Sequence, residues 1–323
     1  MGTLACIAIV LSITLTADTQ NEDENGFVSE GEPITFEEFI TNKFYPKYFN
    51  GTWWSSNEIQ WSDQSENLVL WNVETQETSE LVSSETVGLV SSSASFVAFG
   101  QTKSLLLFKD NTERVWRHSF LAQYFVLDAS RNETVELTPA SQPQGTKLQY
   151  AQWVPSTNKI VYVHQNNIFI RDFDDLNKID QQLTRDGVVD NIYNGIPDWV
   201  YEEEILSTNK AMYFTKSGSK IAFARFNDED VQEFYYSKYG DPQDPYKVQY
   251  PKEIMLKYPK VGTANPKINL MVSDLSKEEV VLKPVVPPSE VAEEHIYTAA
   301  TWVSETELSV IWANRVQNES RFV

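Results

Sequence analysis

The sequence contains a single cysteine, Cys6, in a chain of 323 residues. Cys6 falls in an N-terminal segment that we expect to be removed from the mature protein, for reasons given below. A mature chain without cysteine cannot form disulfides, use a thiolate as a nucleophile or bind zinc through cysteine. These three kinds of chemistry are therefore excluded.

Basic residues are scarce as well. The chain has 26 lysines and arginines against 46 aspartates and glutamates, which gives a net charge of −20 and a pI near 4.5. Binding to nucleic acid depends on clustered lysine and arginine, and a surface this acidic repels phosphates. We therefore expect no nucleic-acid partner.

Histidine and glycine are too few, and too scattered, to form the usual catalytic motifs. The three histidines, His118, His164 and His295, lie in separate segments, and none forms the H-E-x-x-H pattern of a zinc site. None of the 12 glycines has a serine two positions later, so the G-x-S-x-G turn of serine hydrolases is missing. The sequence predicts no complete catalytic centre, no metal site and no cofactor.

Only one long apolar run is present, at residues 4–17, and it carries no charge. A membrane-spanning helix needs roughly 20 apolar residues, whereas the core of a signal peptide needs about 7–15. We predict a signal peptide over residues 1–17 and a secreted, extracellular protein. An uncleaved type II anchor at the cell surface and a buried N-terminal strand are the alternatives. N-glycosylation sequons, which suit secretion, begin at Asn50, Asn132 and Asn318.

The segments after the signal peptide differ in composition. Residues 18–34 are acidic and poor in apolar side chains, which predicts a flexible leader. Residues 35–52 predict a short helix and a linker, with Thr35 as the N-cap and Glu38 as its partner in a capping box. From residue 53 onwards, segments rich in β-branched and aromatic residues alternate with polar turns, as strands do. The clearest strands are at residues 96–99, 104–108 and 120–127.

One unit recurs in this strand-rich region: an aromatic strand, a turn of small polar residues and a second hydrophobic strand. It is found at residues 151–162, 212–223 and 301–310, and loosely at 89–99. Hairpins that recur on this scale are typical of β-propeller blades, and a plain β-sandwich, the alternative, would not require the repeat. We predict an all-β fold in which residues 53–323 form an incomplete propeller of about four blades.

Residues 194–205 stand out by their three consecutive glutamates, at positions 202–204. Pro197 and Asp198 favour the start of a helix here. Taken alone, such a run indicates an acidic helix end exposed to solvent. Adjacent carboxylates repel each other, however, and a cation between them relieves the repulsion. The free α-amine of a peptide is one such cation.

Four segments resemble signatures of the dipeptidyl peptidase IV family, which are serine exopeptidases of the prolyl oligopeptidase type. Their order and spacing match over nearly the whole mature chain. Members of this family carry an eight-bladed β-propeller followed by an α/β-hydrolase domain. The resemblance implies that this chain is the front part of such a propeller and that the hydrolase domain is absent from it. The four segments are Trp116–Phe120, Ile192–Ile205, Tyr258–Pro266 and Trp312–Asn318.

The resemblance also implies residue roles. Glu203 and Glu204 bind the N-terminal amine of a peptide substrate, and Arg117 reaches a backbone carbonyl of the substrate beside them. Glu202 is not a direct ligand in the family and serves local structure. Without the resemblance, Arg117 would be interpreted as a surface cation that balances Glu113. The implied reaction is the release of N-terminal dipeptides with proline or alanine in second position.

The nucleophilic serine of the family and its aspartate and histidine partners belong to the hydrolase domain. This chain alone is therefore predicted to be inactive, with no catalytic residue of its own, while the full-length gene product is predicted to be a dipeptidyl peptidase. Two alternatives remain open. Some family members lack the nucleophile and serve as accessory proteins of ion channels, and the chain could also be a truncated, secreted binding module.

Residues 234–252 are too long and too aromatic for an ordinary turn within a blade. Such rings with polar tips are enriched at protein interfaces, although a surface excursion packed on its own blade is the alternative. In the family this insertion resembles an arm that extends to a second subunit, which implies a homodimer. The aromatic residues of the segment are Phe234, Tyr235, Tyr236, Tyr239, Tyr246 and Tyr250.

Overall fold

The computed structural model describes residues 33–44, 46, 49–91, 93–102, 104–140, 142–175, 179–240, 249–291 and 294–323. The predicted signal peptide and nearly all of the predicted acidic leader lie outside these residues. The chain divides into two units, with the boundary between Thr52 and Trp53. Within the described ranges, no helix has the length and apolar character needed to cross a membrane.

The first unit contains one short helix among its described residues, α1 (Phe36–Ile40). The side chain of Thr35 accepts a hydrogen bond from the backbone N–H of Glu38, and the Glu38 carboxylate accepts one from the backbone N–H of Thr35. These two bonds satisfy donors that the first turn of a helix leaves free. The predicted capping box is therefore confirmed.

The second unit consists mainly of antiparallel strands, which confirms the predicted all-β class. Two short helices interrupt them, α2 (Ser84–Val87) and a 3₁₀ turn (Ser289–Val291), together with a π-helix described below. The strands are β1 (Thr52–Trp53), β2 (Glu58–Ser62), β3 (Leu68–Asn72), β4 (Thr78–Val82), β5 (Ser95–Phe99), β6 (Leu105–Arg114), β7 (Phe120–Asp128), β8 (Glu133–Glu136), β9 (Tyr150–Trp153), β10 (Lys159–His164), β11 (Asn167–Asp172), β12 (Gln181–Gln182), β13 (Ile192–Asn194), β14 (Met212–Phe214), β15 (Lys220–Asn227), β16 (Glu233–Lys238), β17 (Lys252–Lys257), β18 (Lys267–Asp274), β19 (Lys283–Val285), β20 (Ile296–Trp302), β21 (Leu308–Ala313) and β22 (Ser320–Phe322).

These strands form a series of sheets that follow one another along the chain. The first sheet has the order β1-β2-β3-β4, the second β5-β6-β7-β8 and the third β12-β11-β10-β9. The fourth has the order β13-β15-β18-β19, with β14 also paired to β15, and the fifth has the order β20-β21-β22. Sheets of about four strands joined by short turns are the building blocks of a propeller.

The hydrophobic cores lie between successive sheets, as strand β10 illustrates. Ile160 and Tyr162 are fully buried in a core shared with the second sheet. Val161 and Val163, which alternate with them, are fully buried in a core shared with the fourth sheet. Because successive side chains of a strand point to opposite faces, a strand covered on both faces needs a continuous apolar run. The Ile-Val-Tyr-Val sequence of β10 meets that requirement.

The predicted repeat is largely present. The hairpins β9–β10, β14–β15 and β20–β21 match three of its copies. The loose copy at residues 89–99 is wrong, because among its described residues only Ser95–Phe99 form a strand. The hairpin β1–β2 is a further copy that the repeat did not predict. There the backbone N–H of Trp54 donates to the carbonyl of Glu58 (2.8 Å), as that of Val303 does to the carbonyl of Glu307 (2.9 Å) in β20–β21.

The aromatic insertion forms a separate two-stranded hairpin, β16–β17, and residues 241–248 within it lie outside the described residues. It interrupts the fourth sheet between β15 and β18, which pair directly with each other along their whole length. Every residue of β16 is exposed, and Tyr239 and Tyr250 are 77% and 84% exposed. The hairpin therefore extends away from the blade. The predicted homodimer stays a prediction.

Candidate functional site

The glutamate segment is held at its N-terminal end by the fourth sheet. Strand β13 pairs with β15, so that Ile192 lies opposite Asn227 and Asn194 opposite Arg225. Gly195 follows with φ +73°, a left-handed conformation that glycine adopts without strain. A Cβ atom at this position would lie 2.8 Å from the side chain of Met212. The chain can therefore turn away from the sheet here only because residue 195 is glycine.

A helical turn begins at Asp198. Its side chain accepts a hydrogen bond from the backbone N–H of Val200 (3.0 Å), and its carbonyl accepts one from the N–H of Glu202 (2.9 Å). The predicted helix start at this aspartate is therefore confirmed. The turn continues as a π-helix, Tyr201–Leu206, and ends at Ser207 with φ +50°. We call Asp198–Leu206 the glutamate turn.

The inner side of the glutamate turn is fixed by aromatic packing. Tyr201 is 1% exposed, and its ring lies 4.8 Å from that of Phe226 in β15 and 5.9 Å from that of Tyr297 in β20. Aromatic pairs at such distances contribute beyond the area that they bury. The turn is thus attached to both the fourth and the fifth sheet.

The three glutamates differ sharply in exposure. Glu202 is completely buried, and its Oε1 accepts hydrogen bonds from the backbone N–H groups of His118 and Ser119, both at 2.8 Å. The side chain of Glu203 is 7% exposed, whereas Glu204 is exposed to solvent. The interpretation of this run as a solvated helix end is therefore wrong for Glu202 and Glu203.

Arg117 lies in the loop between β6 and β7 and contacts Glu203 twice. Its backbone N–H donates to Glu203 Oε1 (2.9 Å), and its Nε lies 3.0 Å from Glu203 Oε2. The guanidinium of Arg114 donates to the Arg117 carbonyl (2.9 Å) and so braces the loop. The alternative pairing of Arg117 with Glu113 is not found, because Glu113 pairs with Lys147 instead (3.3 Å).

The arrangement combines carboxylate acceptors, one nearly buried and one exposed, with an exposed guanidinium donor. Among the residues that the structure describes, the Glu204 carboxylate has no hydrogen-bond or ion-pair partner, and the Arg117 side chain remains 70% exposed. An ammonium group has three donors and no acceptor, and carboxylates are its strongest partners. The site can therefore accept an ammonium group at the glutamates and donate to a carbonyl from Arg117.

Two aspartates near the glutamates are buried, each 1% exposed: Asp198, the first residue of the glutamate turn, and Asp228, which directly follows β15. Burial raises the pKa of both carboxyls; the charge of Asp198 raises the pKa of Asp228 further, and Lys257 lowers it. Asp228 was not singled out from the sequence, because it begins an Asp-Glu-Asp run that indicates an exposed turn. No local signal reveals its burial. No group of three or more histidine, cysteine or acidic residues in the described ranges could hold a metal ion.

The buried aspartates predict an unusual pH dependence of folding. A carboxyl whose pKa is raised in the folded state binds its proton more tightly there, so it stabilises the fold at acidic pH and loses this effect as the pH rises. Since the pKa of Asp228 is raised to about 9, we expect the stability advantage of the native chain over Asp228→Asn to fall by about 3–4 kcal/mol between pH 5 and pH 8. Urea unfolding at the two pH values measures it. Glu74→Gln, at an exposed turn, is the matched control. An equal difference in stability between the native chain and Asp228→Asn at both pH values would contradict the prediction.

The comparisons with known proteins agree on one family. The sequence model of the protein family "Dipeptidyl peptidase IV (DPP IV) N-terminal region" matches residues 101–323. The chain is 32% identical to prolyl endopeptidase FAP of Homo sapiens, over 99% of this chain and 40% of that protein. It is 31% identical to dipeptidyl peptidase 4 of Bos taurus, over 99% of this chain and 41% of that protein. It is 33% identical to venom dipeptidyl peptidase 4 of Apis mellifera, over 90% of this chain and 37% of that protein.

A solved structure supports the same fold. The crystal structure of Porphyromonas gingivalis dipeptidyl peptidase 4 matches with a TM-score of 0.76 and 23% identity, over 91% of this chain and 40% of that one. The chain spans about 40% of the length of these curated relatives. The predicted fold, the N-terminal part of a β-propeller, is confirmed. This chain belongs to the dipeptidyl peptidase IV family and represents its N-terminal propeller region.

Proposed function

We propose that this chain is the substrate-gating propeller region of a serine exopeptidase that releases N-terminal dipeptides. The observation that carries the proposal is the contact between Arg117 and the nearly buried Glu203, which the exposed Glu204 directly follows in the chain. Relatives named dipeptidyl peptidase 4 support the reaction class.

In this proposal Glu203 and Glu204 bind the substrate's N-terminal ammonium group, and Arg117 donates to a nearby backbone carbonyl. With the amine fixed, only the bond after the second residue lies within reach of the nucleophile. Such positioning replaces a loose encounter by a geometry close to that of the reaction. The serine nucleophile, its partners and the pocket that prefers proline or alanine belong to an α/β-hydrolase domain in this proposal, so residues 1–323 alone are inactive.

The requirement for a free amine gives the first test. We expect the gene product, including any residues that follow Val323, to hydrolyse Ala-Pro-p-nitroanilide at least about 100-fold faster than its N-acetylated form, because acetylation removes the charge that the carboxylates bind. Equal rates for the two substrates would contradict the proposed amine site. Binding of the dipeptide Ala-Pro without any hydrolysis of Ala-Pro-p-nitroanilide would indicate a member of the family that lacks the nucleophile.

We also propose that the β16–β17 hairpin mediates a homodimer. Tyr235 and Tyr236 in β16 are 50% and 47% exposed, although their rings are largely apolar. Burial of such rings must outweigh the repulsion between two chains of net charge −20. Light scattering at physiological salt should give a dimer for the native protein and a monomer for the variant with both Tyr236→Ser and Tyr239→Ser. A native monomer at micromolar concentration would contradict this proposal.

Secretion and glycosylation complete the proposed setting. The venom enzymes among the relatives are compatible with an extracellular protein, and the described residues Asn50, Asn132 and Asn318 are all exposed. Expression in a secretory host followed by treatment with a peptide N-glycosidase should lower the apparent mass. An unchanged mass would exclude glycan attachment at these sequons.

A further inference from the structure

The base of the β16–β17 hairpin contacts the glutamate turn through a chain of aromatic rings. The ring of Trp199, at the start of the turn, lies 4.8 Å from that of Tyr258, with an angle of 42° between their planes. Tyr258 in turn lies 5.9 Å from Phe234, the second residue of β16. The Nζ atom of Lys260 lies 5.1 Å from the centre of the Phe234 ring and extends the series as a cation–π contact.

Tyr258 is a part of the hairpin rather than of the fourth sheet. It directly follows β17, and its backbone N–H donates to the carbonyl of Gln232, just before β16 (2.9 Å). Glu233 and Lys257, the residues next to this hydrogen bond, form the first pair of the two strands. A displacement of the hairpin base therefore moves the Tyr258 ring, and with it the surface on which Trp199 rests.

Lys257 provides a second, electrostatic connection between the hairpin and the glutamate turn. Lys257, the last residue of β17, is only 12% exposed at its side chain, and its Nζ donates to the carbonyl of Val231 (3.1 Å). Its positive charge acts on the buried Asp228, whose own charge interacts with that of Asp198 at the start of the glutamate turn. The hairpin base thus supplies both a ring and a cation to the region of the glutamate turn.

We propose that Tyr258 is a positioning residue for the amine site: its ring holds Trp199, and thereby sets the position of Glu203 and Glu204. The proposal rests on the proposed function of those two glutamates. Trp199 is four residues before Glu203, within the same helical turn, so a shift of its ring is carried along the turn to the carboxylates. Small misplacements of groups that position a substrate weaken their action strongly. A displacement of the hairpin base would then change the affinity of the site for a peptide amine.

The test measures the dissociation constant of the dipeptide Ala-Pro by calorimetry on the chain, with any residues that follow Val323. We expect Tyr258→Ala to weaken binding about 3- to 10-fold, the range that the loss of one aromatic pair allows. Tyr258→Phe keeps the ring and should stay within about twofold of the native value. Trp53→Ala is the matched control, because this 63% exposed ring lies in β1, outside both the hairpin and the glutamate turn. It should leave the dissociation constant unchanged.

A double-mutant cycle distinguishes positioning from a general loss of structure. If Tyr258 acts through the carboxylates, Tyr258→Ala causes a smaller fold-loss in a Glu203→Gln background than in the native one. Equal fold-losses in both backgrounds, or no loss from Tyr258→Ala, would overturn the proposal. An unchanged dissociation constant for Glu203→Gln would instead overturn the proposed function. Should Tyr258→Ala fail to fold, Phe234→Ala at the 39% exposed end of the ring series takes its place under the same criteria.

Discussion

Replacing Glu203 or Glu204 by glutamine is expected to lower kcat/KM for dipeptide release by about 30- to 1000-fold. In the proposed amine site, each substitution would leave the substrate's ammonium group with one carboxylate instead of two. The loss of one charge-assisted hydrogen bond there corresponds to about 2–4 kcal/mol of transition-state stabilisation. Hydrolysis of Ala-Pro-p-nitroanilide by the gene product measures the effect. Glu203→Gln also removes the negative charge that pairs with the Arg117 guanidinium, so it should be at least as harmful as Glu204→Gln.

Glu74→Gln provides the matched control for this experiment. Glu74 is an exposed glutamate in the turn between β3 and β4, where the same change of charge touches no part of the proposed site. It should leave kcat/KM unchanged. A comparable loss at Glu74, Glu203 and Glu204 would mean that the acidic surface acts only through its overall charge, and that no specific amine site exists.

Replacing Glu202 by alanine is expected to act on folding, and strongly. Its carboxylate is fully buried and accepts two backbone hydrogen bonds, from His118 and Ser119. Removing it leaves two partly buried backbone N–H donors without their acceptor, which should lower the free energy of unfolding by about 2–4 kcal/mol. The loop that presents Arg117 also loses its attachment. Urea unfolding monitored by tryptophan fluorescence measures the change.

Two further variants sharpen the test at Glu202. Glu204→Ala changes an adjacent but exposed glutamate and should alter the free energy of unfolding by no more than about 0.5 kcal/mol. Glu202→Gln keeps an oxygen acceptor but loses the charge. Its loss of unfolding free energy should lie between those of Glu202→Ala and Glu204→Ala. If Glu202→Ala and Glu204→Ala had equal effects, the buried carboxylate would not be what holds the Arg117 loop.

Local pattern was enough to predict much of the fold. Hairpins such as β9–β10 are visible in the sequence because a polar turn separates two apolar strands over a short stretch of chain. The same rule would have found β1–β2, where Trp54-Ser55-Ser56 precedes Glu58 much as Val303-Ser304 precedes Glu307. By contrast, the pairing of β15 with β18 joins strands separated by the whole β16–β17 hairpin. No local pattern encodes it.

The site depended on long-range contacts that the residues alone could not reveal. Arg117 and Glu203 are 86 positions apart in the sequence, and only the resemblance to a family brought them together before the structure did. The burial of Glu202 follows from backbone donors in the β6–β7 loop, and that of Asp228 from the packing around the end of β15. A run of charged residues is predicted to be exposed to solvent unless the distant residues that pair with it are known.

The π-helical form of residues 201–206 makes the length of this segment as important as its composition. A π-helix closes each hydrogen-bonded ring with one residue more than an α-helix does. Removing a single residue from the turn would let it relax into an α-helix and rotate the remaining carboxylates about the axis, away from both His118 and Arg117. A one-residue deletion should therefore be more damaging than any single substitution within the run. Anyone transplanting this acidic turn into another scaffold must carry over the additional residue along with the glutamates.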